Sequence, residues 1–217
     1  MGTHTAVDPG YRMAARFAYA AGVFGVLANL LLIALYVDLG LRAGDTETRA
    51  TLGPVGELAG PANDVVGSLA TACMIPVALA LAGRLPRQRT VRLTQAAGLT
   101  AMAVLTAGGP LLVLGVLEFE LSTPISMAAY FVFSLWLLLS NRWLRSSGTL
   151  PSRLAGFGEF LGAGTLAGFT IAGLGLLLPW MSWPQLVLFG AGVLAGLPSF
   201  LGIPVWFLLL GRHLWRS

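Results

Sequence analysis

Six long apolar runs constrain this chain more than any other feature. Each run is long enough, as an α-helix, to cross the roughly 30 Å hydrocarbon core of a bilayer. Polar and charged residues separate the runs, so each one is predicted to be a separate transmembrane helix. The six predicted spans cover residues 17–41, 65–83, 93–117, 125–144, 157–178 and 185–210.

Arginines sort to one side of these spans. Eleven of the 13 lie on the side that holds both chain ends, and only Arg42 and Arg49 lie on the other. Cytoplasmic loops carry the excess of basic residues, so this pattern places both termini in the cytoplasm, which requires an even number of spans. We therefore predict an all-α, polytopic integral membrane bundle of six transmembrane helices. It is N-in and C-in, forms a single domain over residues 1–217 and lies in the inner (plasma) membrane.

Composition supports a membrane protein and excludes several function classes. The chain is 56% apolar and 10% charged, with mean hydropathy +0.81. Its positive charge does not indicate nucleic acid, because the arginines flank the spans, where they contact lipid headgroups. No lysine is present for Schiff-base chemistry, and Cys73 is the only cysteine. His4 and His213 are too few and too near the termini to ligate haem or a catalytic zinc, so we expect no cofactor and no metal.

Acidic residues gather on the opposite side, at the outer ends of the first three spans. Carboxylates are therefore the main groups available for acid–base chemistry. Glu159 lies instead at the arginine-rich end, where we expect it to pair with Arg142, Arg145 or Arg153. The seven outer acids are Asp38, Asp45, Glu47, Glu57, Asp64, Glu118 and Glu120.

Asp64 is the first candidate for a catalytic residue. It follows Pro61 and Asn63 and is expected to open the second span, where a carboxylate caps free backbone N–H groups. It also begins a polar stripe with Ser68 and Thr71, at i, i+4 and i+7. Lipid penalises such a stripe, so it is expected to face the bundle interior. Both interpretations, helix cap and functional acid, stay open at this point.

Glu118, placed at the end of the third span, is the second catalytic candidate, and Glu120 is expected to face water. Polar and aromatic side chains near these acids and in the fourth and sixth spans are candidates for substrate binding. Such rings mostly pack in the core or face lipid, but they also stabilise a carbocation through their π faces. The predicted substrate-binding residues are Asn29, Tyr36, Glu57, Ser68, Thr71, Tyr130, Phe133, Trp136 and Trp206.

Small residues recur at helical spacing in the last two spans. Glycines four apart, in 158–162, 164–168 and 192–196, let helix backbones approach closely. They permit packing within the chain or association of several copies. The segments 104–110 (VLTAGGP) and 193–198 (VLAGLP) resemble each other, as the two halves of an inverted transporter repeat would.

Four segments resemble a family of small, uncharacterised six-helix bacterial membrane proteins. They are 61–66 (PANDVV), 74–79 (MIPVAL), 202–206 (GIPVW) and 211–214 (GRHL). The chain length and the carboxylate placement also resemble the small integral-membrane terpene cyclases of actinomycetes. That second resemblance implies a lyase or isomerase that cyclises a prenyl chain, by protonating its terminal alkene or epoxide with an acidic side chain.

Three functions are consistent with these patterns. The first is a membrane-embedded enzyme acting on a lipophilic, isoprenoid-type substrate, in which a carboxylic acid kept protonated by its apolar surroundings starts the reaction. The second is a small proton- or cation-coupled transporter, and the third is a non-catalytic partner subunit. A pocket closed to water favours the enzyme, whereas an aqueous path between two half-bundles favours transport.

Overall fold

A computed structural model describes residues 9–42, 53–175, 177–179 and 182–216. In the first of these ranges, side chains are described only for residues 10–39. Within these ranges the chain forms six α-helices and no strand, and each helix is long and apolar enough to span a membrane. The predicted all-α architecture of six membrane-spanning helices is confirmed. The helices are α1 (Pro9–Arg42), α2 (Pro54–Ala82), α3 (Arg89–Val113), α4 (Phe119–Ser146), α5 (Ser152–Gly175) and α6 (Trp183–Arg216).

The helices form a closed ring. Each one packs against the helix before it and the helix after it, and α1 closes the ring against α6. No two helices on opposite sides of the ring are in contact within the described residues. We call the end with the α2–α3 and α4–α5 connections the inner end, and the other the outer end. Because opposite helices do not touch, only side chains can fill the centre of the ring.

Large side chains fill the inner half of that centre. Phe133, Trp136, Trp206, Phe207 and Met102 are each almost fully buried there. The Trp206 and Phe207 rings meet edge to face, with centroids 4.9 Å apart. Burying this much apolar and aromatic surface against close neighbours holds the helix ends together at this level of the ring.

Hydrogen bonds satisfy the indole N–H groups of this core. The Trp136 ring N–H donates to Gln95 Oε1 at 2.9 Å, and Gln95 Nε2 donates to Ser140 Oγ at 2.9 Å. The Trp206 ring N–H donates to the carbonyl oxygen of Leu154 at 3.1 Å. A buried donor without a partner is costly, so these bonds fix the orientation of both indoles.

Glycines set how closely neighbouring helices approach. A Cβ added at Gly98 would collide with the Trp136 ring, and one at Gly168 would lie 2.5 Å from the Cα atom of Gly196. Gly162 packs against the α4 backbone at Leu138 in the same way. The glycine-rich faces predicted from sequence therefore pack against helices of the same chain. Association of several copies through them stays a prediction.

The start of α2 differs from the prediction. The helix begins at Pro54 rather than at residue 65, so Asp64 does not cap it, and the cap interpretation is wrong. Its cap comes from the end of α1, where Asp38 Oδ2 accepts hydrogen bonds from the N–H groups of Gly53 at 2.8 Å and Gly56 at 3.2 Å. Proline in a first helical turn is well tolerated, and a carboxylate there suits the helix dipole.

One ion pair at the inner end was predicted correctly. The Arg145 guanidinium lies 3.5 Å from the Glu159 carboxylate, joining the end of α4 to the start of α5.

Two of the outer acids, Asp45 and Glu47, lie outside the described residues. Which end of the ring faces the cytoplasm stays a prediction from the arginine distribution.

Removing the Asp38 cap is expected to destabilise the ring. We expect Asp38→Ala to lower the free energy of unfolding by about 0.5–2 kcal/mol, the usual worth of a helix cap. Asp38→Asn keeps an oxygen acceptor and should retain most of that stability. Denaturant unfolding in detergent, followed by circular dichroism, measures both. Glu120→Ala, an exposed acid in the first turn of α4, serves as the control. Equal stability of wild type and Asp38→Ala would contradict the cap.

Cysteine labelling tests the topology. In a Cys73→Ala background, Val116→Cys lies in the α3–α4 connection and Gln88→Cys just before α3, both at exposed positions. A membrane-impermeant maleimide added to intact cells should label only Val116→Cys, and Gln88→Cys should react only after lysis. The reverse pattern would contradict the prediction of cytoplasmic termini.

Candidate functional site

A cavity occupies the centre of the ring in its outer half. It consists of a larger chamber of about 250 Å³ and a smaller one of about 50 Å³ that lies deeper towards the core. The chambers adjoin, because they share part of their lining. The shared residues are Ala28, Asn29, Gly67, Thr71, Leu105, Tyr130 and Phe200.

The lining changes character with depth. The smaller chamber ends against apolar side chains that include Met74, Phe133 and Ile203. The larger chamber adds polar groups towards the outer end of the ring, supplied by α2 and α4. The polar residues that line the larger chamber are Asn29, Asn63, Asp64, Ser68, Thr71, Ser122, Ser126 and Tyr130. The cavity is therefore amphipathic, with an apolar floor and a polar upper wall.

Among the described residues, Asp64 is the only acid that lines either chamber. It lies inside α2, half-buried, and its carboxylate makes no hydrogen bond or ion pair with any residue that the structure describes. Ser68 and Thr71 line the same chamber, so the three residues share one helix face, as their spacing predicted. Within the described residues, the Asp64 carboxylate therefore remains available to bind or protonate another molecule.

The rest of the polar stripe fixes α2 against α3. The Ser68 hydroxyl donates to the carbonyl oxygen of Leu105 at 3.4 Å, and the hydroxyls of Thr71 and Thr106 lie 3.2 Å apart in a hydrogen bond. Gly109 makes this approach possible, because a Cβ there would collide with the Asp64 backbone oxygen and the Ser68 hydroxyl. Ser68 and Thr71 therefore hold the helix that carries Asp64.

Tyr130 and Asn29 add two further groups to the cavity. The Tyr130 ring is stacked on Phe169 at 5.4 Å and meets Phe200 edge to face at 5.4 Å, which fixes its direction. It lies close enough to Asp64 for an electrostatic interaction. Neither the Tyr130 hydroxyl nor the Asn29 amide bonds to a described residue. The cavity thus offers a carboxyl, a phenol and an amide to a bound molecule.

Three predicted site residues lie away from the cavity. Glu118 is exposed at the N-cap position of α4, so its placement at the end of the third span is wrong. The reason is that α3 ends at Val113 and the chain then turns through Gly115, whose φ of +69° lies in the left-handed region. Glu57 is exposed in the first turn of α2, and Tyr36 is 65% exposed on α1.

Besides Tyr36, four aromatic residues were predicted to bind substrate, and two of these four line the cavity. Tyr130 and Phe133 form part of its wall, whereas Trp136 and Trp206 lie in the inner core with their ring N–H groups satisfied. Ser122 and Ser126 also line the cavity but are absent from the residues predicted to bind substrate, although with Tyr130 they occupy positions i, i+4 and i+8 of α4. The helical spacing that identified the α2 stripe also predicts this second polar face.

No group of three or more His, Cys, Asp or Glu residues in the described ranges is arranged to hold a metal ion.

A pair of glycines tests the shape of the cavity. Nothing lies within 4 Å of a Cβ added at Gly67, whereas one at Gly109 meets the α2 backbone. We expect Gly67→Ala to leave stability unchanged or raise it by up to about 1 kcal/mol, because alanine favours helix. Gly109→Ala should lower stability by about 1–3 kcal/mol through overpacking. Thermal unfolding of the two variants in one detergent compares them, and a greater loss in Gly67→Ala would contradict this cavity geometry.

Comparisons of this chain with protein-family models, with curated proteins and with solved structures find no match. The resemblances described from the sequence therefore stay expectations. The features that bear on function are the cavity, its lining residues and the Asp64 carboxylate, which no described residue binds.

Proposed function

We propose that this protein is an integral-membrane enzyme that protonates a lipophilic, isoprenoid-type substrate in the central cavity, with Asp64 as the acid. One observation carries the proposal. Of the acids that the structure describes, only Asp64 lines the cavity, and none of the described residues binds its carboxylate. An acid used only to support the fold would be expected to have a capping or pairing partner, as Asp38 and Glu159 do.

The shape of the cavity supports a substrate with an apolar reacting end. Met74, Phe133 and Ile203 at the floor suit a hydrocarbon group, and the polar groups lie nearer the outer end. Small-molecule pockets usually measure about 300–1,000 Å³. Taken together, the two chambers of about 250 and 50 Å³ reach only the lower limit of that range. We infer that they enclose the reacting end of a prenyl chain while the remainder stays in lipid.

The proposed chemistry needs only a proton donor and a dry, aromatic wall. The protonated Asp64 carboxyl gives its proton to the terminal alkene, whose π electrons form the new C–H bond. This leaves a tertiary carbocation and the Asp64 carboxylate. A second double bond of the substrate attacks the cation and closes a ring, which leaves a new carbocation. That cation loses a proton to the Asp64 carboxylate and forms a new double bond, so the acid is restored and the net reaction is an isomerisation. Tyr130, Phe133 and Phe200 line the cavity, where their π faces would stabilise the cation.

Two features favour this enzyme over a transporter. The inner half of the ring is filled by Trp136, Trp206 and their neighbours, on the side of the cavity opposite the outer end. The helices also pack in one continuous ring, in which α3 contacts α4 and α6 contacts α1, rather than as two separate halves. Alternating access would require this core to open, whereas protonation of a bound substrate does not.

The Asp64→Asn variant tests the proposal. We expect it to fold and to lose turnover by about 10²–10⁴-fold, the usual contribution of a general acid. The assay incubates purified protein in lipid nanodiscs with linear prenylated substrates and identifies cyclised products by mass spectrometry. In D₂O the wild type should place one deuterium on the carbon that accepts the proton.

Glu120→Gln is the matched control, because it removes an exposed acid at the same end of the ring without touching the cavity. It should turn over as the wild type does. Full turnover by Asp64→Asn would remove Asp64 from the mechanism. Products without deuterium would reject initiation by protonation.

A further inference from the structure

At the inner end of the ring, where α1 meets α2 and α6, a guanidinium is fixed on an aromatic ring. The Arg84 guanidinium carbon lies 4.0 Å from the centroid of the Tyr11 ring. Tyr11 belongs to the first turn of α1, is partly buried and packs against the hydrophobic core, and Arg84 follows the end of α2. A cation held over an aromatic face keeps one orientation, so Arg84 is ordered before any ligand arrives.

The donors of Arg84 stay available. The side chain is exposed and makes no hydrogen bond or ion pair with any residue in the described ranges. Where a guanidinium lies face to face with a ring, the N–H groups on its edge remain free to donate. Those edge groups match two oxygens of a phosphate, a geometry that lysine does not reproduce.

Other cations lie at this end of the ring. Exposed arginines occupy the inner ends of the same helices. Glu159 is the only described acid at the inner end, and it pairs with Arg145 on the α4–α5 side. Like charges repel, so an anion among them would be stabilising. The arginines near the inner ends of α1, α2 and α6, besides Arg84, are Arg12, Arg16, Arg87, Arg212 and Arg216.

We propose that Arg84 and Tyr11 form a binding site for the phosphate of an anionic membrane phospholipid. The ends of membrane-spanning helices lie at the level of the headgroups, where basic side chains attract anionic lipids. Exposed apolar side chains continue from this corner along α1 and α6, among them Met13, Leu209 and Trp215. These side chains provide a surface for acyl chains, which a free phosphate ion would not use.

Lipid titration tests the site. Wild-type protein in detergent is titrated with phosphatidylglycerol and with phosphatidylcholine of the same acyl chains, and bound lipid is counted by native mass spectrometry. We expect phosphatidylglycerol to bind more tightly, and Arg84→Gln to weaken its binding by about fivefold, the worth of one arginine at an anionic surface. Arg153→Gln removes an exposed arginine at the start of α5, away from this corner, and should bind as the wild type does.

A second pair of variants separates a built site from general attraction to positive charge. Tyr11→Leu removes the stacking ring and leaves the net charge unchanged, so it should also weaken phosphatidylglycerol binding. Tyr11→Phe keeps the ring and should restore binding. Unchanged binding in Tyr11→Leu, or equal losses in Arg84→Gln and Arg153→Gln, would overturn the site. Displacement of the lipid by equimolar inorganic phosphate would overturn the choice of a lipid. None of these measurements depends on Asp64 or on turnover.

Discussion

The packing around Trp136 and Trp206 is the interaction on which the rest of this structure depends. The helix backbones approach only their neighbours in the ring, so the centre is either filled by side chains or hollow. Large aromatic and aliphatic side chains fill the inner half, and the hydrogen bonds of the two indoles fix how they lie. In the outer half, Gly67 and Gly108 face the centre with open space beside them. The cavity follows directly from this change in side-chain size along the ring axis.

The roles of the acids differ according to whether each carboxylate has a hydrogen-bond or ion-pair partner. Asp38 caps α2 and Glu159 pairs with Arg145, so both contribute to the fold. Glu118 and Glu57 are exposed on the outside of the helix ring. Among the described acids, Asp64 alone combines a place in the cavity with a carboxylate that no described residue binds. A half-buried carboxyl without a partner is costly in a membrane protein, and this cost is the physical reason to assign it a function.

The two ends of the ring suit different interactions. The outer half offers an amphipathic cavity that suits the end of a lipophilic molecule, whereas the inner end offers the Arg84 guanidinium, held over the Tyr11 ring, which suits phosphate. Both depend on close packing between helices. Gly109 brings α3 against Asp64, and the packing of α1 against α2 and α6 brings Tyr11 to Arg84. A helix displaced by overpacking at either place would alter the site as well as the stability.

The amino-acid sequence was sufficient to predict the number and type of helices and the shared face of Asp64, Ser68 and Thr71, because apolar length and helical spacing are local properties. It also predicted Asn29, Tyr130 and Phe133 as site residues, and these line the cavity. The three-dimensional structure was needed to locate the start of α2, since its cap comes from Asp38, 15 residues before Gly53. It likewise placed Trp136 and Trp206 in the core, and Glu118, Glu57 and Tyr36 outside the cavity. Those outcomes depend on how each helix is rotated in the ring, and contacts between helices at glycines such as Gly98 and Gly109 set that rotation.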